Sequence, residues 1–219
     1  MTSGSCGGSP PASGDAAFAS LLDRIARCRI CRDQPVGSPL PHEPRPVLQA
    51  DPRARLLITG QAPGTRVHAS GRPFTDPSGD RLRAWLGLSS EAFYDPARVA
   101  VVPMGFCFPG LDAKGGDLPP RTECAVHWRA PVLMHLSAIR LAVLVGGYAH
   151  RWHIPQRESM ADLVRRSFES DLRLDAAGPR MLAIPHPSWR NNGWLKRNAW
   201  FEAEAVAALR AQVAQALSG

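Results

Sequence analysis

Four short apolar runs punctuate the 219-residue chain: Arg55 to Thr59, Val99 to Pro103, Leu141 to Gly146 and Met181 to Pro185. They are continuous rather than alternating, which predicts strands buried on both faces. Between them, apolar positions recur at helical spacing over roughly Gly79 to Leu88, Glu123 to Ile139 and Ser159 to Phe168, with a last helix over Trp200 to Leu217. Strands and helices alternating in this order predict an α/β fold, a three-layer α/β/α sandwich around a central, mainly parallel four-stranded sheet. Ahead of the sheet, Phe18, Leu21, Leu22 and Ile25 share one face of a helix over Ala16 to Arg27 that delivers the chain to Cys28. The proline-rich stretch 32–53 has little periodicity and is expected to wrap the surface without forming an element. Met1 to Gly14 is rich in Gly, Ser and Pro and reads as a disordered tail, leaving 15–219 as a single domain.

Two of the predicted strands end in unusual loops. Gly60-Gln61-Ala62-Pro63-Gly64 follows Leu56-Leu57-Ile58, and its glycines allow the backbone to approach a ligand while Pro63 stiffens the path. His186-Pro187-Ser188 follows Met181 to Pro185 and sets an imidazole at a strand end. Ligands of open parallel sheets bind at the carboxyl ends of strands, so the two loops are expected to converge on one pocket. Between them in sequence, Gly71-Arg72-Pro73-Phe74-Thr75-Asp76-Pro77-Ser78-Gly79 is too polar for core, yet it carries an aromatic ring to stack on a flat ligand and a carboxylate to act on it. Taken singly, each of these features also suits an ordinary structural turn.

Charge narrows the partner. The chain carries 26 Lys and Arg against 19 Asp and Glu, a net charge of +7, which favours a polyanion such as nucleic acid. Trp189 to Asn198 mixes aromatic, basic and amide residues, a composition suited to touching phosphates and wedging bases, with Arg190, Asn191, Asn192, Lys196 and Arg197 as the expected DNA contacts. No stretch approaches the roughly 18 apolar residues of a membrane span, so a cytoplasmic, nucleoid-associated protein is expected.

Cysteines add a second chemistry. Cys28 and Cys31 form a C-x-x-C, Cys107 and Cys124 stand sixteen residues apart, and Cys6 lies in the tail. In a cytosolic protein such pairs point to metal before disulfides; four thiolates suit either zinc or an iron–sulfur cluster, and spacing does not choose between them.

Together these residues resemble the uracil-DNA glycosylase superfamily, most closely its iron–sulfur branches, families 4 and 5. The resemblance covers nearly the whole chain after the tail and rests on five ordered features: Cys28 and Cys31, Gly60 to Gly64, Gly71 to Phe74 with Ser78-Gly79, Cys107 and Cys124, and His186 to Ser188. It implies a [4Fe–4S] cluster on Cys28, Cys31, Cys107 and Cys124, structural in role, with zinc as the alternative. It further implies a monomer that hydrolyses the N-glycosidic bond of uracil, or a related deaminated base, flipped out of DNA during base excision repair. His186 would then stabilise charge on the leaving base and Phe74 would stack on its ring. Asp76 would orient water and offset the sugar cation, with Asp80 in reserve. Backbone amides at Gln61 and Ala62, with Gly60, Pro63, Gly64 and Ser188, would complete the substrate contacts.

The chain departs from those relatives in three places. Gln61 stands where family 4 has Glu, and the carboxylate at Asp76 matches family 5 only across a one-residue gap. Pro103-Met104-Gly105-Phe106 precedes Cys107 where relatives carry an Asn that reads the uracil edge. Hypoxanthine, xanthine or a damaged pyrimidine therefore remain candidate bases beside uracil. Two other readings compete: a lesion-recognising DNA-binding protein of the same fold with little catalysis, and a redox-sensing cluster protein.

Overall fold

The computed structural model describes residues 13–154, 158–173 and 175–218. Four strands, β1 (Leu56–Thr59), β2 (Val99–Val101), β3 (Leu141–Val145) and β4 (Arg180–Ile184), form one sheet in the order β2-β1-β3-β4. Every pairing is parallel, with Leu57 opposite Ala100 and Ala142, and Val143 opposite Leu182. Apart from Arg180 at its edge, every strand residue is buried, so both faces are covered and the three-layer α/β expectation holds. Side chains such as Ile58, Val143, Leu144 and Leu182 are wholly inaccessible, and burying each contributes roughly 1.5–3 kcal/mol.

The helices are α1 (Ser13–Ala26), α2 (Ile30–Asp33), α3 (Thr65–Ser70), α4 (Pro77–Leu86), α5 (Ser90–Phe93), α6 (Thr122–Cys124), α7 (Ala130–Met134), α8 (Gly147–His153), α9 (Met160–Glu169), α10 (Asn192–Arg197) and α11 (Val206–Leu217). α11 packs on β1, β3 and α4, while α9 lies along β4 and α8 along β3. Local chemistry sets several ends. Asp76 caps α4 with Pro77 at its first turn, and Ser89 and Ser159 accept backbone hydrogen bonds at the starts of α5 and α9. α1 begins at Ser13, so it takes in the last two residues assigned to the tail; residues 1–12, with Cys6, lie outside the described residues.

Two expectations need correction. The stretch 32–53 is not free of elements, since its first two residues end α2, and 34–53 do not simply wrap the surface: Leu40 and Val47 are buried, and Gln49 exchanges backbone hydrogen bonds with Val101 at 2.9 and 2.7 Å. The helix expected through Ile139 stops at Met134, and between α6 and α7 the residues Ala125–Arg129 take the wider π turn. That turn carries Arg129 inward to complete burial, where it donates to the carbonyls of Val102 (2.7 Å) and Pro103 (3.0 Å) and to His153 Nε2 (2.7 Å). Desolvation pushes the guanidinium pKa down to about 10. Arg129 thus pins the stretch by which the chain leaves β2.

Candidate active site

The order β2-β1-β3-β4 reverses direction at β1 and β3, the place in an open sheet where a crevice opens beyond the carboxyl ends of the strands. A pocket of about 530 Å³, counted to its open mouth, lies there. Its floor is Gly60 to Gly64, and the β2 exit supplies Val101 and Pro103. The two exits run side by side, with Met104 N–H donating to the Gly60 carbonyl and Gly105 N–H to the Gln61 carbonyl, both at 2.9 Å. Pro103 occupies the wall and has no N–H or amide to offer a base edge.

Phe74, Asp76 and His186 all face this pocket. Phe74 has φ of 53°, a left-handed backbone rare for an aromatic residue. Its carbonyl is held by Arg83 Nη1 (3.0 Å) and Tyr94 Oη (3.1 Å), and its ring meets Phe93 edge-on at 6.1 Å. The ring lies 3.4 Å from where a Cβ on Gly60 would stand, and the Phe74 carbonyl fills the place of a Cβ on Gly79. Both glycines are therefore space the aromatic needs. Asp76 accepts from Ser78 Oγ (2.6 Å) and from Gly79 N–H (3.3 Å), so both carboxylate oxygens serve the α4 cap.

His186 leaves β4 over Gly146, whose φ is +81° and where a Cβ would come within 3.2 Å of the His186 Cβ. The Ser188 N–H donates to His186 Nδ1 at 3.2 Å, and Asn191 Nδ2 donates to the His186 carbonyl at 2.8 Å. Because Nδ1 accepts, the neutral ring carries its proton on Nε2. Desolvation holds the imidazole below its ordinary pKa, with Asp76 pulling the other way. The result is a neutral hydrogen-bond donor, suited to an oxygen on which negative charge develops.

Other expected contacts lie elsewhere. Ser188 acts through its backbone on His186 rather than lining the pocket, and Asp80 is exposed and paired with Arg83. Arg190, exposed beside Trp189, donates to the Gly115 carbonyl at 3.2 Å. Asn191 holds the His186 carbonyl, and Asn192 accepts from Arg81 Nη1 at 2.8 Å. Lys196 and Arg197 are exposed on α10. One charged pocket residue escaped the sequence reading altogether, Asp117, brought in by the loop 110–118, as did the apolar Val47 and Val67. The only signal of Asp117 was the glycine pair beside it.

The four cysteines Cys28, Cys31, Cys107 and Cys124 are free thiols that, with Ile25, Pro44, Pro46, Phe106 and Trp128, ring a second cavity of about 230 Å³. Trp128 Nε1 donates to Cys28 Sγ at 3.1 Å and Phe106 N–H to Cys124 Sγ at 3.5 Å. The contact with Cys124, then burial, pushes the Cys31 thiol up, and burial raises Cys107 to about 12. Among the described residues, no group of three or more His, Cys, Asp or Glu is assembled to hold a metal ion. Nor is any described helix long and apolar enough to cross a membrane.

The model of the uracil DNA glycosylase superfamily matches residues 48–210, a span that runs from the segment paired with β2, through all four strands, into α11. It takes in both strand-end loops, Phe74 and Asp76, and it starts after Cys28 and Cys31. The chain belongs to the uracil DNA glycosylase superfamily.

Proposed function

We propose that the protein is a DNA glycosylase that hydrolyses the bond between deoxyribose and uracil or a related deaminated base. The observation that carries this reading is the His186 imidazole, kept neutral with its donor on Nε2 and sharing one pocket with Phe74 and Asp76. A flipped base stacks on Phe74, and His186 donates to the base oxygen that gains charge as the glycosidic bond breaks. Asp76, fixed by Ser78 and Gly79, offers negative charge to the sugar as it becomes oxocarbenium-like. Among the described residues the Gln61 and Ala62 amides donate no backbone hydrogen bond, which leaves them for the base edge that Pro103 cannot read. Trp189, 71% exposed next to Arg190, supplies an aromatic wedge on the DNA side of the His186 loop.

Cys28, Cys31, Cys107 and Cys124, which line one cavity, are the residues that would hold a [4Fe–4S] cluster. Zinc, which four thiolates also suit at about 2.3 Å, is the alternative occupant. Cys31 and Cys124 are in contact, all four thiols line one cavity, and two N–H donors are turned on sulfur as around clusters whose thiolates need charge relief. Such a cluster would tie α1 and α2 to the β2 exit and α6 without entering the chemistry.

Single-turnover assays with anaerobically purified protein test the reading, on single- and double-stranded oligonucleotides bearing uracil, hypoxanthine or xanthine. Abasic sites should appear on at least one, and His186→Ala should slow their formation by about 100-fold or more, as loss of an oxyanion donor does. Tight lesion binding without base release would select the DNA-binding reading instead.

A further inference from the structure

We propose that Asp117 is a second catalytic carboxylate of this pocket, facing the sugar and its attacking water, and that Gln61 is the positioning residue that keeps it there. The inference rests on the glycosylase reading and assigns a residue within it.

The loop 110–118 is built to present Asp117. Leu118 N–H bonds the Gly110 carbonyl at 2.9 Å and Asp112 N–H the Gly116 carbonyl at 2.7 Å, while Asp112 Oδ1 collects the amides of Lys114 and Gly116, both at 2.8 Å. Two side chains from the pocket loops then fasten this turn. Gln61 Nε2 donates to the Leu118 carbonyl at 3.2 Å, and Arg190 Nη2 to the Gly115 carbonyl at 3.2 Å. Asp117 lies between these two fastenings in sequence, and its carboxylate comes within 3.6 Å of the Cβ position of Gly64.

The position has a chemical meaning. A base stacked on Phe74 fills the inner part of the pocket, so its sugar is left at the mouth. Asp117 is exposed to solvent and lines the same pocket, which places it on the sugar side. Its carboxylate accepts no hydrogen bond among the described residues, whereas both oxygens of Asp76 are engaged in a helix cap. Loss of solvent on its pocket side raises the Asp117 carboxyl above its ordinary value; Arg190 opposes the shift, and Asp76 and Asp112 add to it. A carboxylate so placed is a better proton acceptor than a fully solvated one.

The step balances simply. The C1′–N bond breaks with its electron pair going to the base, a water oxygen forms the new bond to C1′, and the water proton passes to Asp117. Residue 61 cannot accept that proton as an amide, but it holds the loop whose carboxylate can.

The test uses whichever base the wild-type protein releases. Asp117→Asn should lower the single-turnover rate by about 50-fold or more, with unchanged thermal midpoint and unchanged affinity for an oligonucleotide carrying the uncleavable 2′-fluoro nucleotide. Added formate should restore part of the rate to Asp117→Ala, an effect a merely structural side chain would not show. Gln61→Ala should lose rate without gaining formate rescue. A rate within threefold of wild type in Asp117→Asn overturns the assignment, as does a loss of rate and binding together that formate leaves untouched. If the wild type releases no base at all, the glycosylase reading falls first and takes this assignment with it.

Discussion

Asp76 combines a helix cap with a place in the pocket, and two substitutions separate those duties. Asn caps a helix nearly as well as Asp, so Asp76→Asn should leave the thermal midpoint almost unchanged while cutting the single-turnover rate by about 100-fold. Ala removes the cap as well, and Asp76→Ala should cost about 1 kcal/mol of stability in addition, measured by denaturant unfolding. A wild-type rate in Asp76→Asn would make Asp76 a cap and nothing more. The sequence made Phe74, Asp76 and His186 legible because each sits in a short stretch of glycine, proline and polar residues that no core would use. Asp117 was not legible. It lies more than fifty residues beyond Gln61, and only the folded loop brings the two side by side. The left-handed backbone of Phe74 was equally hidden, since it is imposed by Arg83, Tyr94 and the missing Cβ of Gly79 rather than by local preference.

Elements divide by length. Strands β1 to β4 announced themselves as continuous apolar runs and α4 and α9 as periodic ones, each within two residues of its true bounds, whereas the last helix expected from Trp200 runs through a π turn over Phe201–Ala205 before α11 begins at Val206. α2, α3, α5, α8 and α10 did not, because helices of four to seven residues carry too few periods to show and owe their stability to packing rather than propensity. The π turn at Ala125–Arg129 is likewise invisible in sequence, although it is what turns Arg129 inward. α10 belongs to the DNA reading. Asn191 and Asn192 are spent on internal bonds, so the salt dependence of oligonucleotide binding should come chiefly from Lys196 and Arg197. Replacing either by Ala should weaken binding to all sequences alike and reduce the slope of log K against log salt by about one. An unchanged slope in both would move the DNA contact away from this helix.

At the scale of the whole molecule, histidine burial fixes the response to acid. His68, His150, His153 and His186 all titrate below the ordinary imidazole range, each chiefly through desolvation, and His153, beside Arg129, is pushed down to about 4. The unfolded chain therefore binds more protons than the folded one between about pH 6.5 and 4, so stability falls as pH falls through that window. His153 alone accounts for roughly 3 kcal/mol at most, at about 1.4 kcal/mol for each tenfold change in proton affinity. His153→Gln should flatten the decline of the thermal midpoint over that range; an equally steep decline would locate the acid response in other groups. The basic balance of +7 that pointed to a polyanion is not spread evenly over function, since Arg129 and Arg83 spend their charge on carbonyls inside the fold.

Arg129 also joins two regions otherwise described apart. The helical stretch 122–134 carries Cys124 into the cysteine cavity and, a little over one turn later, Arg129 onto the carbonyls of Val102 and Pro103, while the same strand exit continues to Cys107. The cysteine cavity and the base pocket are thus two rooms with a common wall and one brace across it. Loosening of the 103–107 exit, which runs from Pro103 in one wall to Cys107 in the other, should therefore be felt in both rooms at once.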